Sequence, residues 1–287
     1  MRVIRSKVLG FCMGVRRAFN LAVTEAGNAR VSGGKVYTLG PLIHNPGVLA
    51  DLKSRGAEAI HALPENPNGC SVIIRAHGIE ARIENEMRGR GVRIVDATCP
   101  NVKASQLKAK ALAEAGYILF LAGEASHAEI AGILDYACTA ENCTVVADAD
   151  EAEAAAKKLL DANKHAKAAL IGQTTISQEE YYAIGEAVKK HFPGLEIVDT
   201  ICSATKDRQQ ALYELLDQVD AVIIAGGKDS ANTRRLFAIA QNSGKPCVLV
   251  ENAAEIPSDF FAYQTVGISA GASTPDSVIS EIELKLM

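Results

Sequence analysis

Two stretches of the chain, VRIVDATC (residues 92–99) and LEIVDTIC (195–202), are near copies of one phrase. Each is an apolar run, then an acidic residue, then a cysteine that opens a helical pattern. A looser copy near the start ends at Cys12 in GFC. A phrase recurring once in each third of 287 residues means one supersecondary plan used three times. Around each copy, short Val- and Ile-rich runs alternate with amphipathic stretches, the pattern of parallel α/β sheets.

Read in order, each third predicts strand, cysteine, helix, strand, polar turn, helix, strand, helix, strand, polar turn, helix. The first third begins with strand RVIRSKVL and a helix after Cys12 ending near Gly27. Strand VYTLG leads to His44-Asn45-Pro46, with Asn45 as N-cap and Pro46 at the first helical position. Strand SVIIRAHG ends at His77. In the second third, YILFLAG leads to His127 and Glu129, and KAALIGQT to Thr174. Ser177 and Glu180 then have capping-box spacing, opening a helix to about Phe192. In the last third, AVIIAGG leads to Ser230 and Asn232. TVGISAG leads to Ser273, and Thr274-Pro275 opens the final helix with Thr274 as cap. The predicted lobes are 1–98, 99–201 and 202–287. Ligands bind beyond the carboxyl ends of parallel strands. Three pseudo-threefold-related α/β lobes with small, mainly parallel sheets would therefore ring a central cavity with nine strand-end turns.

Three of those turns carry Cys12, Cys99 and Cys202. Equivalent placement favours ligands of one centre over three buried apolar thiols. Three thiolates fit an iron–sulfur cluster with one iron lacking a protein ligand, and also an open zinc site. All-thiolate, widely spaced ligands favour the cluster. Cys70, Cys138, Cys143 and Cys247 lie in or beside strands and helices and read as structural. The Cys138–Cys143 gap has no second pair to complete a metal site. An odd count of seven cysteines in a long chain points to reduced thiols in a cytoplasm.

The other six turns bring His44, His77, Ser230, Asn232 and Ser273 together with helix N-termini, the equipment of a phosphate or diphosphate site. No nucleotide-binding glycine loop is present. Glu129, the carboxyl in this ring of turns, reads as a proton donor or as a first-turn glutamate favoured by the helix dipole. His61, His165 and His191 stand off the turns and receive no role. A net charge of −4 gives no case for nucleic acid or anionic membrane, and no apolar run reaches spanning length. The N-terminal strand leaves no room for a signal peptide.

The motifs GFCMGV, HNP, RAHG, DATCP, HAEI, GQTTIS, DTICSAT, KDSANT and GAST occur in the order of a known family. The chain resembles the LytB/IspH family of 4-hydroxy-3-methylbut-2-enyl diphosphate reductases from Met1 to about Ser280. The resemblance implies a [4Fe-4S] cluster on Cys12, Cys99 and Cys202, its open iron taking the substrate hydroxyl. It implies that His44, His77, Ser230, Asn232 and Ser273 hold the diphosphate, that His127 lines the pocket, that Thr174 meets the hydroxyl and that Glu129 relays protons. Electrons would come from a ferredoxin- or flavodoxin-type partner, and the products would be isopentenyl and dimethylallyl diphosphate. Two departures stand out. Ala128 replaces the usual proline between His127 and Glu129, and Ala231 replaces a serine, leaving its backbone amide to face the phosphate. A quinolinate-synthase-like enzyme and a non-catalytic cluster carrier are the alternatives.

Overall fold

The computed structural model describes residues 1–137, 142–162 and 166–287. Cys138, read above as structural, and His165 lie outside the described residues. Contacts divide the chain into two compact units, one of Met1–His61 with Ser203–Met287, the other of Ala62–Cys202. Among the described residues the strands form three small parallel sheets, and helices separate most successive strands.

The first unit contains β1 (Arg2–Arg5), α1 (Met13–Ser32), β2 (Lys35–Leu39), α2 (Pro46–Ser54) and β3 (Ala57–Ile60). The second contains β4 (Cys70–Ile74), α3 (Ala81–Gly89), β5 (Arg93–Asp96), α4 (Pro100–Glu114), β6 (Ile118–Ala122) and α5 (Ala128–Ala137). It continues through β7 (Cys143–Val146), α6 (Ala149–Ala162), β8 (Ala168–Gly172), α7 (Gln178–Lys189) and β9 (Glu196–Val198). The chain then returns to the first unit as α8 (Ser203–Leu216), β10 (Ala221–Ala225), α9 (Ala231–Asn242), β11 (Cys247–Val250), β12 (Thr265–Ala270) and α10 (Asp276–Leu286). Two 3-10 turns occupy 253–255 and 258–262.

One sheet of the first unit runs β1-β12-β10-β11, and one of the second runs β9-β8-β6-β7. Of their central strands, β6, β8 and β10 are buried end to end and β12 in all but its first residue, because helices cover both faces; hence the unbroken apolar runs. Alternate residues serve the two faces. In β6 and β8, Phe120 and Leu170 pack with Tyr181, Ile184 and Val188 of α7, while Leu119, Leu121 and Ile171 pack with Leu112 of α4 and Ile133 of α5. In β10 and β12, Ile223 and Ile268 meet Ile279 and Ile282 of α10, while Val222 and Ile224 meet Leu212, Leu215 and Leu236 of α8 and α9.

The threefold plan is visible in the strand pairs. The strand before each cysteine pairs in parallel with the strand that delivers the second polar turn: β1 with β12, β5 with β4, β9 with β8. Residues 2–5 are thus a strand of the sheet built by residues 221–270, distant from them in sequence.

Several local expectations change. The first helix does not stop near Gly27 but runs to Ser32, ended by Gly33 at φ 73° with its N–H on the Ala29 carbonyl. Gly27 faces open space, and Ala26 and Ala29 keep that stretch packed, which outweighs the roughly 1 kcal/mol cost of a glycine inside a helix. The strand Ala57–Ile60 has no counterpart among the expected strands, since AEAI is four residues long and lacks the run of Val and Ile that marks the others. Asn45 caps α2 as expected, its Oδ1 accepting from Val48 N–H at 3.1 Å, and the Ser177–Glu180 capping box forms. Thr274 caps nothing: its hydroxyl donates to the Ala225 carbonyl at 2.9 Å, across the sheet end. Ser230 is a cap, accepting from Thr233 N–H at 3.4 Å.

Candidate active site

Each cysteine stands directly before a helix, at the end where the backbone N–H groups have no intrahelical acceptor. Cys12 is the N-cap of α1 and its Sγ accepts from Val15 N–H at 3.4 Å. Cys99 is the N-cap of α4, and Cys202 immediately precedes α8. One hydrogen bond recurs in all three cases. The Cys12 amide donates to the Ala272 carbonyl (3.1 Å), that of Cys99 to Ala76 (2.9 Å) and that of Cys202 to Thr174 (3.0 Å). Each acceptor belongs to the second polar turn of its third, at or beside Ser273, His77 and Thr174. The strand pairs β1–β12, β4–β5 and β8–β9 dictate this, since parallel neighbours end at the same sheet edge. Cys70, Cys143 and Cys247 instead start β4, β7 and β11, and no described cysteine is in a disulfide.

The second unit gathers Cys99, Cys202, His77, His127, Glu129 and Thr174. Glu129, in the first turn of α5, is 1% exposed. Its carboxylate accepts from Thr174 twice, at 2.7 Å from the backbone N–H and at 2.9 Å from Oγ1. Burial pushes the Glu129 carboxyl up from 4.5 to about 7, against the opposing pull of the two Thr174 bonds. Glu129 therefore holds a proton about half the time at neutral pH. The His127 Nδ1 accepts from the Glu129 N–H at 3.2 Å, which leaves Nε2 as the protonated nitrogen of the neutral ring. The His77 and His127 rings meet edge to face, centroids 5.4 Å apart at 89°. Thr174 thus joins Glu129 through its side chain and Cys202 through its carbonyl.

Sequence reasoning passed over Asn101. Its Nδ2 donates to the Cys202 Sγ at 3.1 Å from the first turn of the helix that Cys99 caps. The only signal was a polar side chain two residues after a candidate ligand. Farther along α4, Lys103 Nζ donates to the Tyr136 hydroxyl (2.6 Å), which donates to Glu84 (2.9 Å), tying α4 to α5 and α3.

The first unit gathers Cys12, His44, Ser230, Ala231, Asn232 and Ser273. Ser273 Oγ donates to the His44 carbonyl at 3.4 Å. Asn232 is 5% exposed, and its Nδ2 has no hydrogen-bond acceptor among the described residues. A buried amide donor left so is costly unless a ligand oxygen meets it. Ala231 and Asn232 are the first residues of α9, so their backbone N–H groups point out of the helix end that Ser230 caps. Gly227 matters here and was also passed over: a Cβ on it would lie 2.3 Å from the His44 carbonyl oxygen. Only glycine lets those two turns approach.

The family model described as LytB protein matches residues 3–287. The chain belongs to the LytB family. It is 43% identical to a 4-hydroxy-3-methylbut-2-enyl diphosphate reductase of Treponema denticola, over 100% of this chain and 99% of that protein. A reductase of the same name from Aquifex aeolicus is 37% identical, over 99% and 95%. Among solved structures, the E-1-hydroxy-2-methyl-but-2-enyl-4-diphosphate reductase of Plasmodium falciparum matches with TM-score 0.90 and 26% identity, over 99% of this chain and 87% of that one. A second, (E)-4-hydroxy-3-methyl-but-2-enyl diphosphate reductase, described as the terminal enzyme of the non-mevalonate pathway, matches with TM-score 0.72 and 36% identity, over 100% and 99%. This LytB sequence thus sets aside the quinolinate-synthase-like alternative. Among its described residues no helix is long and apolar enough to cross a membrane.

Proposed function

We propose that this LytB protein reduces 4-hydroxy-3-methylbut-2-enyl diphosphate to isopentenyl and dimethylallyl diphosphate, in the cytoplasm. The reaction adds two electrons and two protons. One proton leaves in water with the allylic hydroxyl oxygen, and the other joins the allylic carbon skeleton. The observation that carries this reading is the buried Glu129–Thr174 pair, hydrogen-bonded onward to Cys202.

The residues suit a [4Fe-4S] cluster. Cys12, Cys99 and Cys202 are three thiols at equivalent helix starts, so one iron would have no protein ligand. When bound, the cluster supplies electrons and a Lewis-acidic iron; a ferredoxin- or flavodoxin-type protein is the proposed electron source. The chain's own residues do the rest. His44, His77, Ser230, Asn232 and Ser273 take the diphosphate, with the Ala231 amide in place of the serine hydroxyl usual in the family, and His127 lines the pocket. Thr174 Oγ1 orients the substrate hydroxyl. Protonated Glu129 passes its proton through Thr174 to the departing oxygen, the role of a general acid. Three lobes, 1–98, 99–201 and 202–287, are the proposed evolutionary units of this arrangement, with residues 2–5 lent to the sheet of the last.

Anaerobic reconstitution followed by iron and sulfide analysis and turnover with a reduced low-potential donor tests the reading. We expect about four irons and four sulfides per chain, with turnover to both products. A fully loaded protein that leaves the allylic diphosphate unchanged refutes the function. Full loading in a Cys202→Ser variant refutes the ligand set.

A further inference from the structure

We infer that Asn101 is a positioning residue that sets the reduction potential of the centre held by Cys202. The inference rests on the reading of Cys202 as a cluster ligand. Its observation is separate: the Asn101 Nδ2 lies 3.1 Å from the Cys202 Sγ.

The contact is held from both sides. Asn101 follows Pro100, the first residue of α4, whose φ is fixed by its ring. The Asn101 carbonyl accepts from Ser105 Oγ at 3.1 Å, and the Cys99 carbonyl accepts from Lys103 N–H at 2.9 Å, so the backbone on both sides of Pro100 is tied into the helix. On the other side, the Cys202 amide is bound to the Thr174 carbonyl. The amide of Asn101 and the sulfur of Cys202 therefore meet across two anchored backbones.

A donor on a thiolate sulfur draws electron density from it. It favours whichever redox state puts more negative charge on the sulfur, and that is the reduced state. The Cys12 Sγ has a donor too, but it is the Val15 backbone N–H, which no side-chain change removes. The donor on Cys202 is a side chain, so evolution and experiment can both alter it. Asn101 is exposed and neutral, so it acts on the couple through this bond and adds no charge.

The test is an EPR-monitored redox titration of the anaerobically loaded holoenzyme against Asn101→Leu and Asn101→Ala, with iron and sulfide measured in each. At a fixed applied potential, we expect the reduced-to-oxidised ratio in both variants to fall by about tenfold, equivalent to about 59 mV for one electron. Asn101→Gln, which keeps an amide donor, should recover part of that loss. Ratios within about twofold of the parent in the loaded variants overturn the inference. If one variant fails to load, the other decides. Should Cys202→Ser load as fully as the parent, the ligand reading fails instead, whatever Asn101 does.

Discussion

Glu129→Gln isolates the proton from everything else at the site. The side chain keeps its shape, and its amide oxygen still accepts from the Thr174 N–H that now donates at 2.7 Å. Its NH2 can donate to Thr174 Oγ1. What is lost is a carboxyl pushed by burial to about 7. General acid catalysis contributes about 10²–10⁴-fold, so turnover should fall by that factor with iron content and substrate affinity retained. The same pKa sets the parent's pH profile. Glu129 should be about nine-tenths protonated at pH 6, half at pH 7 and one-tenth at pH 8, so the chemical step should slow about fivefold from pH 7 to 8 and about tenfold per unit beyond that. Stability has a matching sign. The folded carboxyl binds its proton more tightly than the unfolded one, so native protein carries the excess proton between about 4.5 and 7. Its stabilising contribution is complete below 4.5 and is lost as pH rises to 7, by roughly 3 kcal/mol. Urea unfolding at pH 5 and pH 8, anaerobically, should show that decline in the parent and its absence in Glu129→Gln. Single-turnover rates that stay flat from pH 6 to 8, together with near-parent turnover in loaded Glu129→Gln, would show that the proton comes from elsewhere, His127 being next in line.

Asn232→Leu should weaken binding of the diphosphate substrate by about 1.5–3 kcal/mol, the worth of one hydrogen bond to a charged group, measurable by calorimetry; unchanged affinity would remove Asn232 from the anion site. Ala128→Pro places proline at the first position of α5, where no intrahelical N–H bond is lost, and should raise stability by about 0.4–1 kcal/mol in denaturant titrations. A loss of stability would mean that the chain entering α5 cannot take the extended conformation a following proline requires.

Much of this molecule is decided within a few residues of each position. Phe120, Leu170 and Ile223 lie in apolar runs too continuous for a half-exposed strand, so buried parallel strands follow from the sequence alone. Asn45 before Pro46 and Ser177 before Glu180 announce helix starts because a cap acts on the N–H groups two or three residues ahead. The three cysteines and their turns were legible for a related reason: the repeat copies a local plan, and the copies mark one another. Other features had no local sign. Arg2–Arg5 join Thr265–Ile268 because sheet pairing links residues across the whole chain length. The helix beyond Gly27 persists because neighbouring alanines are packed. Thr274 looks like a cap, yet the fold offers its hydroxyl the carbonyl of Ala225, while Ser230, read as a ligand, also caps α9. The chemistry divides the same way. That a glutamate follows His127 is sequence; that it holds its proton near neutrality, facing Thr174, and that Asn101 reaches the sulfur of Cys202, are products of burial and of distances that only the packed chain creates.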